Sequence, residues 1–118
     1  MRVDHTSIWV TDLDRTESAY KSVLDLSETW RNVYEDGTIE AFVRGSDGQS
    51  LQLMCRDGDE VDAEPDNFRY ITVEVDDLSD TLDRTAEQDT CEVIEELDES
   101  AIISDPDGYR FKITTNGN

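Results

Sequence analysis

The chain has 118 residues, 36% of them hydrophobic, which is the length of one domain with enough apolar content for a modest core. Its 30 acidic residues against 10 basic ones give a formal net charge of −20, which excludes general affinity for nucleic acid phosphates or anionic membrane and disfavours compaction at low ionic strength. No apolar run approaches the roughly 18 residues that span a bilayer, and Met1-Arg2-Val3-Asp4 lacks a signal peptide's apolar segment, so a cytoplasmic protein is expected.

In chain order, Val3 to Val10 alternates, with Ile8 and Val10 on one face and His5, Ser7 and Trp9 on the other, which predicts a strand. Asp12 or Asp14 then caps a helix whose apolar positions Leu13, Thr16, Tyr20, Val23 and Leu24 recur at helical spacing through Leu26. Three strands follow: Glu28 to Tyr34, Thr38 to Arg44 after the Asp36-Gly37 turn, and Gln49 to Arg56 after Asp47-Gly48. The stretch from Asp57 to Asn67 is rich in acids, with a Gly, a Pro and little to bury, so it reads as a linker. The same order then returns. Arg69 to Val75 predicts a strand, and Leu78 to about Gln88 a helix with a thin apolar stripe of Leu78, Leu82 and Ala86. Glu92 to Glu95, Ser100 to Ser104 and Tyr109 to Thr115 complete the second set. The expected fold class is α+β, two tandem βαβββ modules forming a curved mixed sheet around a cavity. Module one covers about 1–57, the linker about 58–67 and module two about 68–118 of a single domain.

The repeat can be aligned residue by residue. Ser46-Asp47-Gly48-Gln49-Ser50-Leu51-Gln52-Leu53 matches the turn and strand from Asp105 to Ile113 at an offset of 60 (108 minus 48), which sets Gln52 opposite Lys112. His5 to Leu13 matches Tyr70 to Leu78 at an offset of 65 (70 minus 5), which sets His5 opposite Tyr70. One βαβββ module leaves a sheet face wet, so two are expected to pair around a trough, with these four positions facing it.

The acids are interleaved with apolar strand patterns and do not form a block, which indicates a folded acidic domain. The basic set is eight Arg and two Lys, Lys21 and Lys112. Heavy acid with little Lys is similar to the proteins of salt-in halophiles. The ordinary reading of each Asp or Glu is therefore solvated surface. Cys55 and Cys91 are too few for a disulfide framework and read as free thiols. The chain shows no Ser-His-Asp order, no phosphate-cradling Gly loop and no Cys/His cluster at zinc spacing, which removes hydrolase, nucleotide-binding and zinc-module readings.

Four segments resemble the vicinal-oxygen-chelate superfamily of glyoxalase I, extradiol dioxygenases and bleomycin-binding proteins. They are His5 to Leu13, Ala19-Tyr20-Lys21-Ser22-Val23-Leu24-Asp25-Leu26, Tyr70 to Leu78, and Asp105-Pro106-Asp107-Gly108-Tyr109-Arg110-Phe111. The resemblance implies the glyoxalase/bleomycin resistance/dioxygenase fold, a small-molecule ligand and a homodimer. It also implies that His5, Gln52, Tyr70 and Lys112 stand where metal-dependent members carry their ligands. His5 suits a divalent ion and Gln52 offers an amide oxygen, but Tyr70 must ionise and Lys112 has the wrong sign. A +1 charge about 4 Å from a +2 ion repels it by roughly 8 kcal/mol at an effective dielectric near 20. No metal is therefore expected, with His5 and Gln52 as the ligands if one is present.

The other ligand-binding candidates are Trp9, Phe42 and Met54, as core or cavity wall, and Glu74, either as exposed acid or as the neutraliser of Lys112. His5 alone in a strand reads as a hydrogen-bonded structural histidine or as a base near neutral pH. Lys112 reads as a surface lysine or as a cation for a ligand carboxylate or phosphate. Two functions follow: a small-molecule binder with no cofactor, resembling the bleomycin-binding branch, or a lyase, isomerase or dioxygenase with a reduced Ni, Zn, Fe or Mn site.

Overall fold

Each helix begins at an aspartate that supplies the acceptor its first turn lacks. Asp12 accepts from the Arg15 N–H at 3.1 Å and Asp77 from the Asp80 N–H at 3.1 Å. These caps start α1 (Leu13–Leu24) and α2 (Leu78–Glu87) in a computed structural model that describes residues 5–46, 48, 50–56 and 70–115, with His5 described through its backbone. The strands of module one are β1 (His5–Trp9), β2 (Ser27–Val33), β3 (Thr38–Arg44) and β4 (Ser50–Arg56). Those of module two are β5 (Ile71–Glu74), β6 (Glu92–Glu96), β7 (Ser100–Ser104) and β8 (Arg110–Thr114).

The strands form two four-stranded sheets, ordered β1-β4-β3-β2 and β5-β8-β7-β6. In each the first and last strands of the module pair in parallel and the rest antiparallel. Two identical βαβββ topologies in one chain are the α+β repeat expected from the sequence. The predicted linker lies outside the described residues. Gly37 and Gly108 sit at φ 89° and 92°, conformations that L side chains resist, and each donates its N–H back across its turn, to the Tyr34 and Asp105 carbonyls.

The core joins both modules. Val10, Leu13, Tyr20, Val23, Val43 and Leu53 from the first pack in one cluster with Ile103, Tyr109, Phe111 and Ile113 from the second. Tyr20 meets Phe111 edge-on, with ring centroids 5.4 Å apart at 74°. The α1 stripe read from periodicity is the buried face: Leu13, Thr16, Tyr20, Val23 and Leu24 are all buried.

The thin stripe of α2 packs on the core through its two leucines and is corrected at Ala86. Its buried residues are Thr81 and Thr85, with Leu78 and Leu82 half-buried and Ala86 exposed. The two threonines pass as apolar because each hydroxyl donates to the carbonyl four residues earlier, Thr81 to Asp77 at 3.1 Å and Thr85 to Thr81 at 2.8 Å.

The turn before β8 fastens module two to module one. Buried Asp105 accepts from the Tyr20 hydroxyl at 2.5 Å and from the backbone N–H groups of Asp107 at 3.0 Å and Tyr109 at 2.8 Å. Asp107 accepts from the Thr11 N–H at 3.1 Å and the Thr11 hydroxyl at 2.5 Å, with Arg15 3.3 Å away. The Tyr109 hydroxyl donates to the Trp9 carbonyl at 2.7 Å. Burial pushes the Asp105 carboxyl up, against the pull of the Tyr20 and backbone donors. Burial, then the neighbouring Asp105 charge, pushes the Tyr20 hydroxyl well above its ordinary value.

Candidate functional site

Strand register assembles the first half of the site. β1 pairs with β4, and β4 with β3, so that Ser7, Gln52 and Phe42 stand in one row, and Trp9, Met54 and Glu40 in the next. The β2–β3 pairing extends these rows to Trp30 and Asn32. Side chains directly opposite one another share a face, so this is one continuous surface, opposite the face where Ile8, Ala41, Val43, Leu51 and Leu53 are buried.

Gln52 lies at the centre of that surface and is nine-tenths buried, 9% exposed. Its amide oxygen accepts from the Ser7 hydroxyl and its nitrogen donates to Glu40 Oε2. Glu40 Oε1 accepts from the Tyr34 hydroxyl at 3.1 Å. The carboxylate is thus held by two neutral donors. Aromatic groups stand beside it: Trp30 and Phe42 are tilted together with centroids 5.7 Å apart, and the Arg56 guanidinium lies 5.7 Å from the Trp9 ring centroid. Trp9, Trp30 and Tyr34 remain 37%, 47% and 44% exposed, which leaves flat apolar surface beside a fixed polar group. His5 enters through its backbone, in register with Ser50 and next to the Ser7–Gln52 pair.

The second half stands on the other sheet. Lys112 is in register with Thr72 on β5 and Ile102 on β7. Its ammonium lies 5.7 Å from the centroid of the Tyr70 ring. Glu74 is in register with Thr114, and no ion pair joins it to Lys112 among the described residues; the lysine's contact is the tyrosine ring. No hydrogen bond or ion pair links Gln52 to Lys112 either, so the four repeat-matched positions fall into two pairs on two sheets.

A cavity of about 650 Å³ lies elsewhere, between the C-terminal end of α1, the edge of β5 and the first turns of α2. Of the described candidates, Glu74 alone lines it, and Gln52, Tyr70 and Lys112 do not. Sequence reasoning placed Ser7 on the face of Trp9 but missed its bond to Gln52, and it missed Trp30, Tyr34 and Arg56 as parts of the first surface. The available signal was strand alternation, but the cross-strand partners depend on register, which only the folded sheet fixes.

Among the described residues no three His, Cys, Asp or Glu side chains converge as a metal-binding group, and no helix is long and apolar enough to cross a membrane. Cys55 and Cys91 are free thiols.

Known proteins share this architecture. The trypanothione-dependent glyoxalase I of Leishmania major is 24% identical, with a TM-score of 0.86 over 98% of this chain and 86% of that one. A glyoxylase/bleomycin resistance protein/dioxygenase domain from Frankia sp. EAN1pec is 26% identical, with a TM-score of 0.73 over 98% of this chain and 97% of its own. Glyoxalase I from Zea mays is 19% identical, with a TM-score of 0.84 over 99% of this chain but 45% of that chain, so the sequence here spans about half the maize enzyme. No curated protein matches by sequence. The profile of the Glyoxalase/Bleomycin resistance protein/Dioxygenase superfamily matches residues 2–113, and with the doubled βαβββ topology this places the chain as a member of that superfamily.

Proposed function

We propose that this chain is a small-molecule-binding member of the superfamily without the usual four-ligand metal site, working as a cytoplasmic homodimer. The observation that carries the reading is Lys112 beside Tyr70: both module-two ligand positions are occupied by a cation and the ring it lies over. In module one, Gln52 offers a neutral amide whose oxygen is already engaged by Ser7. This donor set does not fit a divalent ion, which favours carboxylates, neutral imidazole or thiolates and is repelled by an ammonium.

What the surface supports instead is binding. The exposed rings of Trp9, Trp30 and Tyr34 supply flat contact area, and Gln52 and Glu40 supply hydrogen-bonding groups whose orientation is set in advance. The test is metal content after purification without chelator. Well under one equivalent of Ni, Zn, Fe or Mn is expected, unchanged by His5→Ala. A stoichiometric metal lost in that variant would overturn the reading and favour a lyase, isomerase or dioxygenase with a reduced site.

The dimer is supported by apolar side chains that a monomer leaves wet. Val33 is 63% exposed on β2, and Val93, Ile94 and Leu97 are 39%, 44% and 47% exposed on or just after β6. Light scattering behind size exclusion in 2 M KCl is expected to give twice the 13.4 kDa chain mass. A monomer at all concentrations would remove the dimer from the proposal.

A further inference from the structure

We propose that the cavity between the two modules is a second binding site, and that it takes a small organic cation: an ammonium or guanidinium carried on an apolar body. Its origin lies in an imperfection of the repeat. Between α1 and the turn before β8, Tyr20 and Asp105 fill the interior and bond to each other. The offset of 65 puts Thr85 in the place of Tyr20 (85 minus 20), and the offset of 60 puts Gly45 in the place of Asp105 (105 minus 45). The pair that plugs one junction has thus become a threonine and a glycine at the other. The cavity opens there, lined by Gly45 and by Thr81, one helical turn before Thr85.

Charge changes in the same comparison. Thr11 and Arg15 hold Asp107 at the first turn of α1. Their counterparts at α2 are Asp76 (76 minus 11 is 65) and Asp80 (80 minus 15 is 65), and both line the cavity. Asp25, Glu74 and Asp77 add to that wall, so that five carboxylates line it against one cation, Arg84. Asp80 is paired with Arg84 at 3.0 Å and Asp25 with Lys21 at 3.1 Å, while Glu74 and Asp76 have no cationic partner among the described residues. The floor is apolar, formed by Val43, Leu51 and Phe111.

An acidic wall over an apolar floor complements an organic cation better than a bare metal ion. The carboxylates do not converge as a metal-binding group among the described residues, and Val43, Leu51 and Phe111 offer an inorganic ion no ligands. The volume of about 650 Å³ falls within the range that holds a small organic molecule, roughly 300–1,000 Å³.

Calorimetric titration of the full chain with benzyltrimethylammonium tests this, with benzyl alcohol as the neutral comparator. Saturable one-to-one binding of the cation is expected, at least about tenfold tighter than the alcohol. Thr6→Trp, at an exposed lining residue of β1, is expected to weaken it at least about tenfold by occupying the cavity. The pair Glu74→Gln with Asp76→Asn is expected to do the same by removing two of the wall's charges. All three side chains are exposed, and circular dichroism checks that the variants fold; Ser46→Trp, also an exposed lining residue, replaces Thr6→Trp if that variant does not. No saturable binding, equal binding of the alcohol, undiminished binding in either kind of variant, or displacement by equimolar MgCl₂ would each overturn the proposal.

Discussion

Asp105→Ala is expected to lower the unfolding free energy by about 3–5 kcal/mol, a large share of the roughly 5–15 kcal/mol that holds a domain together. The reason is the number of donors that lose their acceptor. The Tyr20 hydroxyl and the N–H groups of Asp107 and Tyr109 all point at this one carboxylate in a site 5% exposed. Asp105→Asn keeps an oxygen for the two backbone donors and removes a buried charge, so it is expected to cost about 1 kcal/mol or less. Urea titration of the two variants separates a hydrogen-bonding role from a merely space-filling one: equal destabilisation by Ala and Asn would defeat the argument.

The same carboxyl has a signature in pH. Its folded value is raised above the unfolded one by burial, so the folded state takes up the proton first as pH falls. The penalty for the buried charge is fully present above the folded value. It is relieved as pH drops through that value toward the unfolded one near 3.8. The cost of Asp105→Asn relative to the parent, measured by urea midpoint, is therefore expected to grow on acidification, because only the parent gains from protonation. A cost that shrinks toward acid would reverse the assigned sign.

Raising KCl from 0.1 to 2 M is expected to raise the melting midpoint by about 10 °C or more, because a few kcal/mol of relieved repulsion shifts a domain of this length by that order. Thirty acids against ten basic groups leave −20 to be screened, and the Debye length contracts from about 10 Å to under 3 Å over this range. Among the described residues, the native ion pairs that salt weakens most are the exposed ones, such as Lys21–Asp25 at 3.1 Å and Arg84–Asp80 at 3.0 Å. NaCl should act like KCl if screening is the cause. A midpoint that is flat in both chlorides and rises only in sulfate would assign the effect to solute exclusion instead.

Local pattern was enough to place most elements. The Thr38–Arg44 and Ser100–Ser104 strands have the bounds read from alternation, and α1 starts at Leu13 behind the Asp12 cap. Where other ends differ, they do so by one or two residues. Helix α1 stops at Leu24, where Asp25 turns left-handed at φ 55°, and β6 runs on to Glu96 through a register shift between Val93 and Glu95. Threonines at Thr81 and Thr85 misled the burial pattern of α2, because hydroxyls bonded to their own helix are polar in composition but not in packing.

The site was legible only in part. Alternation puts Gln52 with Met54 on one face of β4 and Phe42 with Glu40 on one face of β3, and those groupings need nothing beyond period two. Ser7 beside Gln52, Tyr34 beside Glu40 and Arg56 over Trp9 depend on which strands neighbour which, and in what register. Lys112 illustrates the same limit: its charge was readable as a poor metal ligand, but its partner is the Tyr70 ring, not Glu74.

By itself, then, the sequence determined the doubled βαβββ order, the Asp caps, the Asp-Gly turns and the acidic surface, since each depends on residues close together in the chain or on composition alone. Tertiary structure decided how the two halves differ. Tyr20 and Asp105 are 85 residues apart and close one junction by meeting, while at the matching junction a cavity is lined by Gly45 and by Thr81, one turn before Thr85. That contrast arises where non-local packing converts small differences between repeats into filled or open space.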